Sequence, residues 1–226
     1  MKNVADTRSV KELAVQISAG DALLSGQLQI PNNPKGLILF VHGSGSSRFS
    51  PRNQYVAELF NQAGLATILF DLLTAEESQI DEITREYRFD IELLSRRTVC
   101  AIDWVCQQTE IQDMSLGLFG ASTGAAAALF AAYSRPKQVG CVVSRGGRPD
   151  LAIKVLKKVQ APTLLIVGAL DYEVIQLNEL AKQAMQTECK LTIVQGATHL
   201  FTEAGTLDVA ATAAKNWFLQ KLTGKQ

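Results

Sequence analysis

Leu116-Gly117-Leu118-Phe119-Gly120-Ala121-Ser122-Thr123-Gly124 begins as an apolar run, passes through a Gly-x-Ser-x-Gly turn and leads into the alanine-rich segment Ala125 to Tyr133. The run has the composition of a buried strand, and the alanines combine high helix propensity with little bulk. A strand that turns into a helix this abruptly brings the positions two before and two after the serine close together. Glycine is wanted at both, because a β-carbon would collide there. The serine hydroxyl is thereby pushed out over the sheet edge. A glycine-rich turn whose serine only caps the next helix would show the same five residues, so the surroundings decide.

Short, nearly continuous apolar runs recur at Leu37 to Val41, Ala66 to Phe70, Val139 to Val143, Thr163 to Val167 and Leu191 to Val194. Such runs suit strands covered on both faces. Helical periodicity fills the gaps: Val56, Leu59, Phe60 and Ala63; Ile91, Leu94, Thr98, Ala101, Ile102 and Val105; Leu207, Ala210, Ala211 and Ala214, continuing to Trp217 and Phe218. Strand and helix alternating from residue 37 onward predict an α/β fold, a parallel sheet with right-handed crossovers and helices on both faces. Val10 to Ile17 and Leu23 to Ile30, separated by Gly20-Asp21, predict an antiparallel hairpin that extends the sheet to eight strands. Ligands in such sheets bind beyond the carboxyl ends of the parallel strands, which is where Ser122 stands.

The 226 residues are 47% hydrophobic and 19% charged, with no internal repeat or linker-like tract, so one globular domain over 1–226 is expected. Basic and acidic side chains balance at 22 each. That balance leaves no broad electropositive face and argues against duplex nucleic acid or anionic membrane as main partners. Met1 to Glu12 carries charges throughout and lacks the apolar core of a signal peptide, and no run reaches the ~18 apolar residues of a spanning helix. The expected location is cytoplasmic. Cys100, Cys106, Cys141 and Cys189 show no Cys-x-x-Cys spacing and read as reduced thiols, mostly buried. Neither a Walker A sequence nor His-Glu-x-x-His occurs, and two histidines with unspaced cysteines make no metal site. Gly43-x-Gly45 follows a strand as a dinucleotide loop would, but Arg48 occupies the third glycine position. No cofactor is expected.

A serine hydroxyl is a weak nucleophile at neutral pH and needs a general base, which in turn needs a partner to fix its tautomer. The chain holds two histidines, His42 and His199. When the order along the chain is serine, acid, histidine, only His199 can be the base; it lies between the last strand and the last helix. Asp171, just past the strand Thr163 to Val167, is the expected acid. Asp150 is its rival, but its place after Pro149 is explained as a helix cap, and Glu173 stands close by. Acyl transfer also needs N–H donors for a developing oxyanion. Thr123 at the helix N-terminus supplies one, and Ser44 in His42-Gly43-Ser44-Gly45 the other, with Gly45 next.

These residues resemble an α/β-hydrolase, and the small uninterrupted plan is similar to the dienelactone hydrolase branch. The resemblance covers nearly all the chain from residue 10 and implies that Ser122, Asp171 and His199 are the catalytic positions and His42-Gly43-Ser44 the oxyanion loop. Dienelactone hydrolases proper use a cysteine where this chain has Ser122, so the resemblance implies ester or lactone hydrolysis rather than the dienelactone substrate. The stretches 46–53 and 144–149 also resemble a subgroup that can occur joined to a phosphoribosyltransferase domain, which these 226 residues do not contain.

Only Ser144 to Ala161 separates Val143 from Pro162, so no cap domain is expected; Asp71 to Arg88 is an acidic excursion that would shade the site with a helical turn. Arg48, Arg52, Arg145 and Arg148 follow strands on the rim of Ser122. They either receive a carboxylate or phosphate of the substrate or pair with Asp71, Glu76, Glu77 or Asp90. The chain therefore reads as a serine hydrolase cleaving small esters, lactones or thioesters through an acyl-enzyme; the alternative is a catalytically idle module of the same fold that binds a ligand or partner.

Overall fold

The computed structural model describes residues 10–223. Of the leader reading on Met1 to Glu12, residues 1–9 therefore lie outside the described residues.

Strands β1 (Val10–Ala19) and β2 (Ala22–Pro31) pair antiparallel with Ala19 opposite Ala22. The two-residue turn Gly20-Asp21 has Gly20 at φ 75°, a conformation the missing β-carbon permits. β2 then pairs antiparallel with β4 (Ala66–Phe70). From β4 onward the sheet is parallel, through β3 (Leu37–Val41), β5 (Leu116–Ala121), β6 (Val139–Arg145), β7 (Thr163–Gly168) and β8 (Cys189–Val194). The eight strands lie in the order β1-β2-β4-β3-β5-β6-β7-β8. The mostly parallel, eight-stranded architecture expected from the apolar runs is thus the architecture observed.

The central strands are buried on both faces, and their side chains alternate between two cores with the period of two that the pleat imposes. Ile38, Phe40 and Phe119 point to one face, where α1 (Pro51–Gln62) and α7 (Thr206–Thr223) deliver Val56, Phe60, Ala214 and Phe218. Phe40 and Phe119 rings pack 4.9 Å apart, and Phe60 meets Phe218 edge-on at 5.5 Å. Leu37, Leu39, Val41 and Leu118 point to the other face, against α3 (Ile91–Val105) and α4 (Thr123–Ser134). Burying each such side chain contributes about 1.5–3 kcal/mol. The alanines of α4 are almost all buried, so this helix lies close beneath the sheet with its first residue directly after Ser122.

Three further helices complete the fold: α2 (Ala75–Thr84), the single turn α5 (Ile153–Leu156) and α6 (Tyr172–Ala184). Periodicity did not mark α2 or α6, and their packing explains why. α2 buries only Asp81, and α6 only Val174, Asn178 and Ala181, so neither has a full apolar stripe. Between β6 and β7 stand only a 3-10 turn (Pro149–Ala152) and α5, and no cap covers the site. No disulfide joins the cysteines among the described residues. Only Cys141 is buried and Cys106 is exposed, against the expectation of mostly buried thiols, because Cys106 lies just past the end of α3. No described helix is long and apolar enough to cross a membrane.

Candidate active site

Ser122 links β5 to α4 at φ 51° and ψ −124°, a conformation that is strained for a residue with a β-carbon. Three backbone hydrogen bonds hold it. Its N–H donates to Arg145 O at 3.2 Å, and its carbonyl accepts from Arg148 N–H at 3.0 Å and Ala125 N–H at 3.1 Å. A β-carbon on Gly124 would stand 2.2 Å from Val41 O, and one on Gly120 would stand 2.5 Å from Ala125 Cα. Both glycines thus allow the close crossing of strand and helix. The Ser122 side chain makes no capping bond to α4, so it is not a helix cap.

His199 sits in the loop between β8 and α7, where Glu203 accepts hydrogen bonds from Thr198 N–H (3.1 Å) and Thr198 Oγ (2.5 Å) and so fixes the loop. These bonds also hold the Glu203 carboxyl below the usual glutamate range. His199 Nδ1 lies 2.6 Å from Asp171 Oδ2. Asp171 occupies the N-cap position of α6 yet makes no side-chain cap bond, which leaves its carboxylate to the imidazole. Its rival Asp150 lies inside the 3-10 turn rather than at a cap, and its carboxylate is engaged by Arg148. Gly146, at φ 51°, runs directly under His199; a β-carbon there would come within 3.0 Å of His199 O and 3.7 Å of its Cε1.

Ser122 and His199 line one cavity of about 250 Å³ together with Ser44, Arg52, Asn53 and Arg145. Among the described residues no hydrogen bond joins Ser122 Oγ to the His199 ring. Hydrogen bonds of this kind are often long in the absence of substrate and tighten in its complex.

The expected oxyanion donors are arranged differently from each other. Thr123 is the first residue of α4, so its N–H has no partner within the helix. The Ser44 N–H, by contrast, donates to Thr123 Oγ1 at 3.0 Å. Ser44 Oγ donates to Arg88 O at 2.9 Å and stands 2.8 Å from Thr123 Oγ1, so the threonine proton points to Ser44 Oγ and its lone pair receives the Ser44 amide. The Ser44 amide, expected to be open, is therefore occupied by a neighbouring hydroxyl.

His42 is buried, and its Nε2 accepts the Leu72 N–H at 3.0 Å, which places the ring proton on Nδ1, 2.9 Å from Gly43 O. Burial pushes its pKa below the ordinary value, outweighing the Gly43 hydrogen bond and the charge of Asp71. This neutral imidazole ties the loop after β3 to the end of β4 and takes no part as a base.

The four arginines divide in two. Arg48 forms an ion pair with Asp71, stacks 4.2 Å over the Phe49 ring, and donates its backbone N–H to Asp71 Oδ1 at 2.7 Å. Arg148 grips Asp150 through Nε (2.9 Å) and Nη2 (2.8 Å). Both are engaged by acids: of the two alternatives open for these arginines, pairing describes Arg48, through Asp71, and Arg148, though through Asp150 rather than an acid named for it from the sequence. Glu77 pairs with Arg97 and Asp90 caps α3, so neither reaches these arginines. Among the described residues Arg145 and Arg52 have no carboxylate partner. Arg145 is 8% exposed and donates through Nη2 to Asn53 Oδ1 at 3.2 Å, while its Nη1 has no partner. Burial, and then the charge of Arg52, push its pKa down to about 10. The Nε of Arg52 is likewise buried without a partner.

Sequence reasoning missed Asn53, Gly146 and Glu203. Asn53 lies in the first turn of α1 and reaches Arg145 across 92 residues, a contact with no local signal. Glu203 acts across a loop, where no periodicity operates. Gly146-Gly147 was visible as a glycine pair, but not what it lies against.

Residues 34–217 match the sequence profile of the alpha/beta hydrolase domain family. Two Mycobacterium tuberculosis proteins provisionally named phosphoribosyl transferase are 50% identical over 215 residues, which is 95% of this chain and 48% of theirs. The chain thus spans about half the length of these curated relatives. The crystal structure of a dienelactone hydrolase from Anabaena variabilis superposes with a TM-score of 0.93 at 54% identity, covering 94% of this chain and 99% of that one. Est1E from Butyrivibrio proteoclasticus shares the fold at 16% identity, with a TM-score of 0.77 and coverage of 92% and 98%. The sheet order, the strained serine turn and these likenesses agree that the chain belongs to the α/β-hydrolases and is dienelactone hydrolase-like.

Proposed function

We propose that the chain is a serine hydrolase of the carboxylesterase or lactonase type, acting on small esters, lactones or thioesters through an acyl-enzyme. The observation that carries this reading is the 2.6 Å bond from Asp171 to His199 beside a serine held at positive φ in the same cavity. Asp171 holds the His199 proton on Nδ1, which leaves Nε2 as the base. Ser122 Oγ attacks the carbonyl carbon while Nε2 takes its proton. The oxyanion of the tetrahedral intermediate receives the Thr123 N–H and the Ser44 N–H, and each such donor is worth about 10² to 10³ in rate. In the resting protein Thr123 Oγ1 stands in for that oxyanion at the Ser44 amide, and rotation of the threonine side chain releases the donor. Collapse expels the alkoxide, which takes the proton from His199. Water, deprotonated by the same imidazole, then cleaves the acyl-serine and frees the acid.

The name of the longer relatives is said of chains of which this one spans about half, and no phosphoribosyl chemistry is proposed for it. The absence of a Ser122–His199 bond in the resting state favours one other reading, an idle module that binds without turnover. A fluorophosphonate probe and a panel of ester, lactone and thioester substrates decide between them. The hydrolase labels at Ser122, and Ser122→Ala lowers turnover by about 10⁵ to 10⁶. A protein that neither labels nor turns over any of the panel is the binder.

A further inference from the structure

Arg145 is a buried cation that meets no carboxylate among the described residues. A buried charge costs several kcal/mol unless it is paired, and buried arginines normally meet a carboxylate. Here, among the described residues, its one hydrogen-bond acceptor is the neutral Asn53 Oδ1, the Phe119 ring lies 5.6 Å from its Cζ, and Nη1 has no hydrogen-bond partner. The one charge that presses on it is another arginine, Arg52. Three acids near this rim are spent elsewhere, Asp71 on Arg48, Asp150 on Arg148 and Asp81 on Arg88. Two cations without a counter-charge line the same cavity as Ser122.

We propose that Arg145 and Arg52 form an anion subsite beside Ser122, so that the ester or lactone cleaved here carries a carboxylate or phosphate a few bonds from its scissile carbonyl. The inference rests on the hydrolase reading for the word "cleaved", but the anion site stands on the two arginines alone. A cavity of about 250 Å³ is about 8 Å across, room for a carbonyl and an anionic group separated by two to four bonds of about 1.5 Å. The guanidinium fork suits either a planar carboxylate or a phosphate, and an anion between the two arginines removes their mutual repulsion. Arg52 also lines the adjoining cavity of about 720 Å³, whose wall mixes Phe49 and Leu72 with the charged Asp81, Glu82, Arg85 and Arg88. Arg52 therefore stands where the two spaces meet, and the remainder of the substrate extends into the larger one.

The test has two arms. In the first, kcat/KM is measured for methyl butanoate, monomethyl succinate and the methyl ester of 3-phosphonopropanoate. The anionic-to-neutral ratio exceeds one in the wild type and falls about ten- to hundredfold in Arg52→Ala and in Arg145→Met, as expected for losing a charge-assisted hydrogen bond. It holds in Arg148→Ala, whose guanidinium is already paired. In the second arm, succinate and inorganic phosphate are titrated calorimetrically into the Ser122→Ala protein, which cannot turn over. At least one binds, and binding is lost when Arg145→Met is added; the tighter of the two identifies the anion. Arg52 is partly exposed, so its variant keeps the test decisive if Arg145→Met does not fold. Hydrolysis of neutral esters with a ratio indifferent to both arginines overturns the subsite and leaves the hydrolase intact. Arginine-dependent anion binding without labelling or turnover overturns the hydrolase and leaves the subsite. No binding of either anion to Ser122→Ala overturns the subsite.

Discussion

His199 Nδ1 lies 2.6 Å from Asp171 Oδ2, although the two residues belong to loops 28 positions apart that follow different strands. In the proposed mechanism the carboxylate selects the tautomer with its proton on Nδ1 and leaves Nε2 as the base. Asp171→Asn keeps the shape and reverses that preference. It lowers kcat by about 10⁴, the usual consequence of a wrong tautomer at this position. Steady-state rates on any ester of the panel check this, with circular dichroism confirming the fold. A loss of less than tenfold would falsify the assignment of Asp171.

Gly146→Ala acts on the same imidazole from below. Its β-carbon arrives 3.0 Å from His199 O and demands a positive φ from alanine. The backbone strain costs about 1–3 kcal/mol of stability, and the displaced histidine loop lowers kcat by roughly tenfold or more, since small misplacements of catalytic groups are expensive. Thermal melting and turnover measured together test both halves; an unchanged kcat would show that the contact does not position the ring.

His42 makes stability depend on pH in mildly acid solution. Burial sets its folded pKa below the ordinary 6.5, so between the two values the unfolded chain binds a proton that the folded chain refuses. Stability is complete above pH 6.5 and declines as the pH falls toward the folded value. Glu77 and Asp81, in which burial is outweighed by bonds from Arg97 and Arg88, lose their contributions further down, as pH falls below their ordinary 4.5 and 3.8. In urea unfolding at several pH values between 7.5 and 5, the wild type loses stability while His42→Gln follows a flatter line. Parallel profiles would show that His42 does not titrate with unfolding.

Arg145→Met separates a ligand-binding role from a structural one. A guanidinium that supports the fold leaves a weakened protein when it is removed, whereas an unpaired buried cation burdens the fold. The thioether chain fills similar space without the charge, and the melting temperature rises by about 2 to 4 °C per kcal/mol recovered. Differential scanning calorimetry reads the sign, and a fall of several degrees would mark Arg145 as structural.

Much of this molecule can be read without coordinates where the signal is local. The apolar runs of β3, β4, β5, β6 and β7 stand alone in the sequence because both their faces are covered, and the serine turn advertises itself through two glycines that tolerate no β-carbon. Asp171 and His199 follow from the rule that ligands meet the carboxyl ends of the strands. What escaped depends on distant partners. Nothing near Ser44 announces that its amide is held by Thr123, 79 residues away. Nor does the spacing of four arginines tell which two meet an acid and which two line the Ser122 cavity without one. That sorting is a property of the rim as assembled, settled by Asp71 and Asp150.

Strand β8 takes its ladder from β7 alone, its side chains are mostly half-buried, and the His199 loop hangs from its far end. A margin bonded on one flank opens in partial excursions that cost less than melting the centre. In the proposed mechanism, warming therefore dismantles the imidazole's seat while the aromatic heart around Phe40 and Phe119 is still intact, and inactivation runs ahead of denaturation. The working lifetime of the protein is set at its border rather than by the strength of its interior.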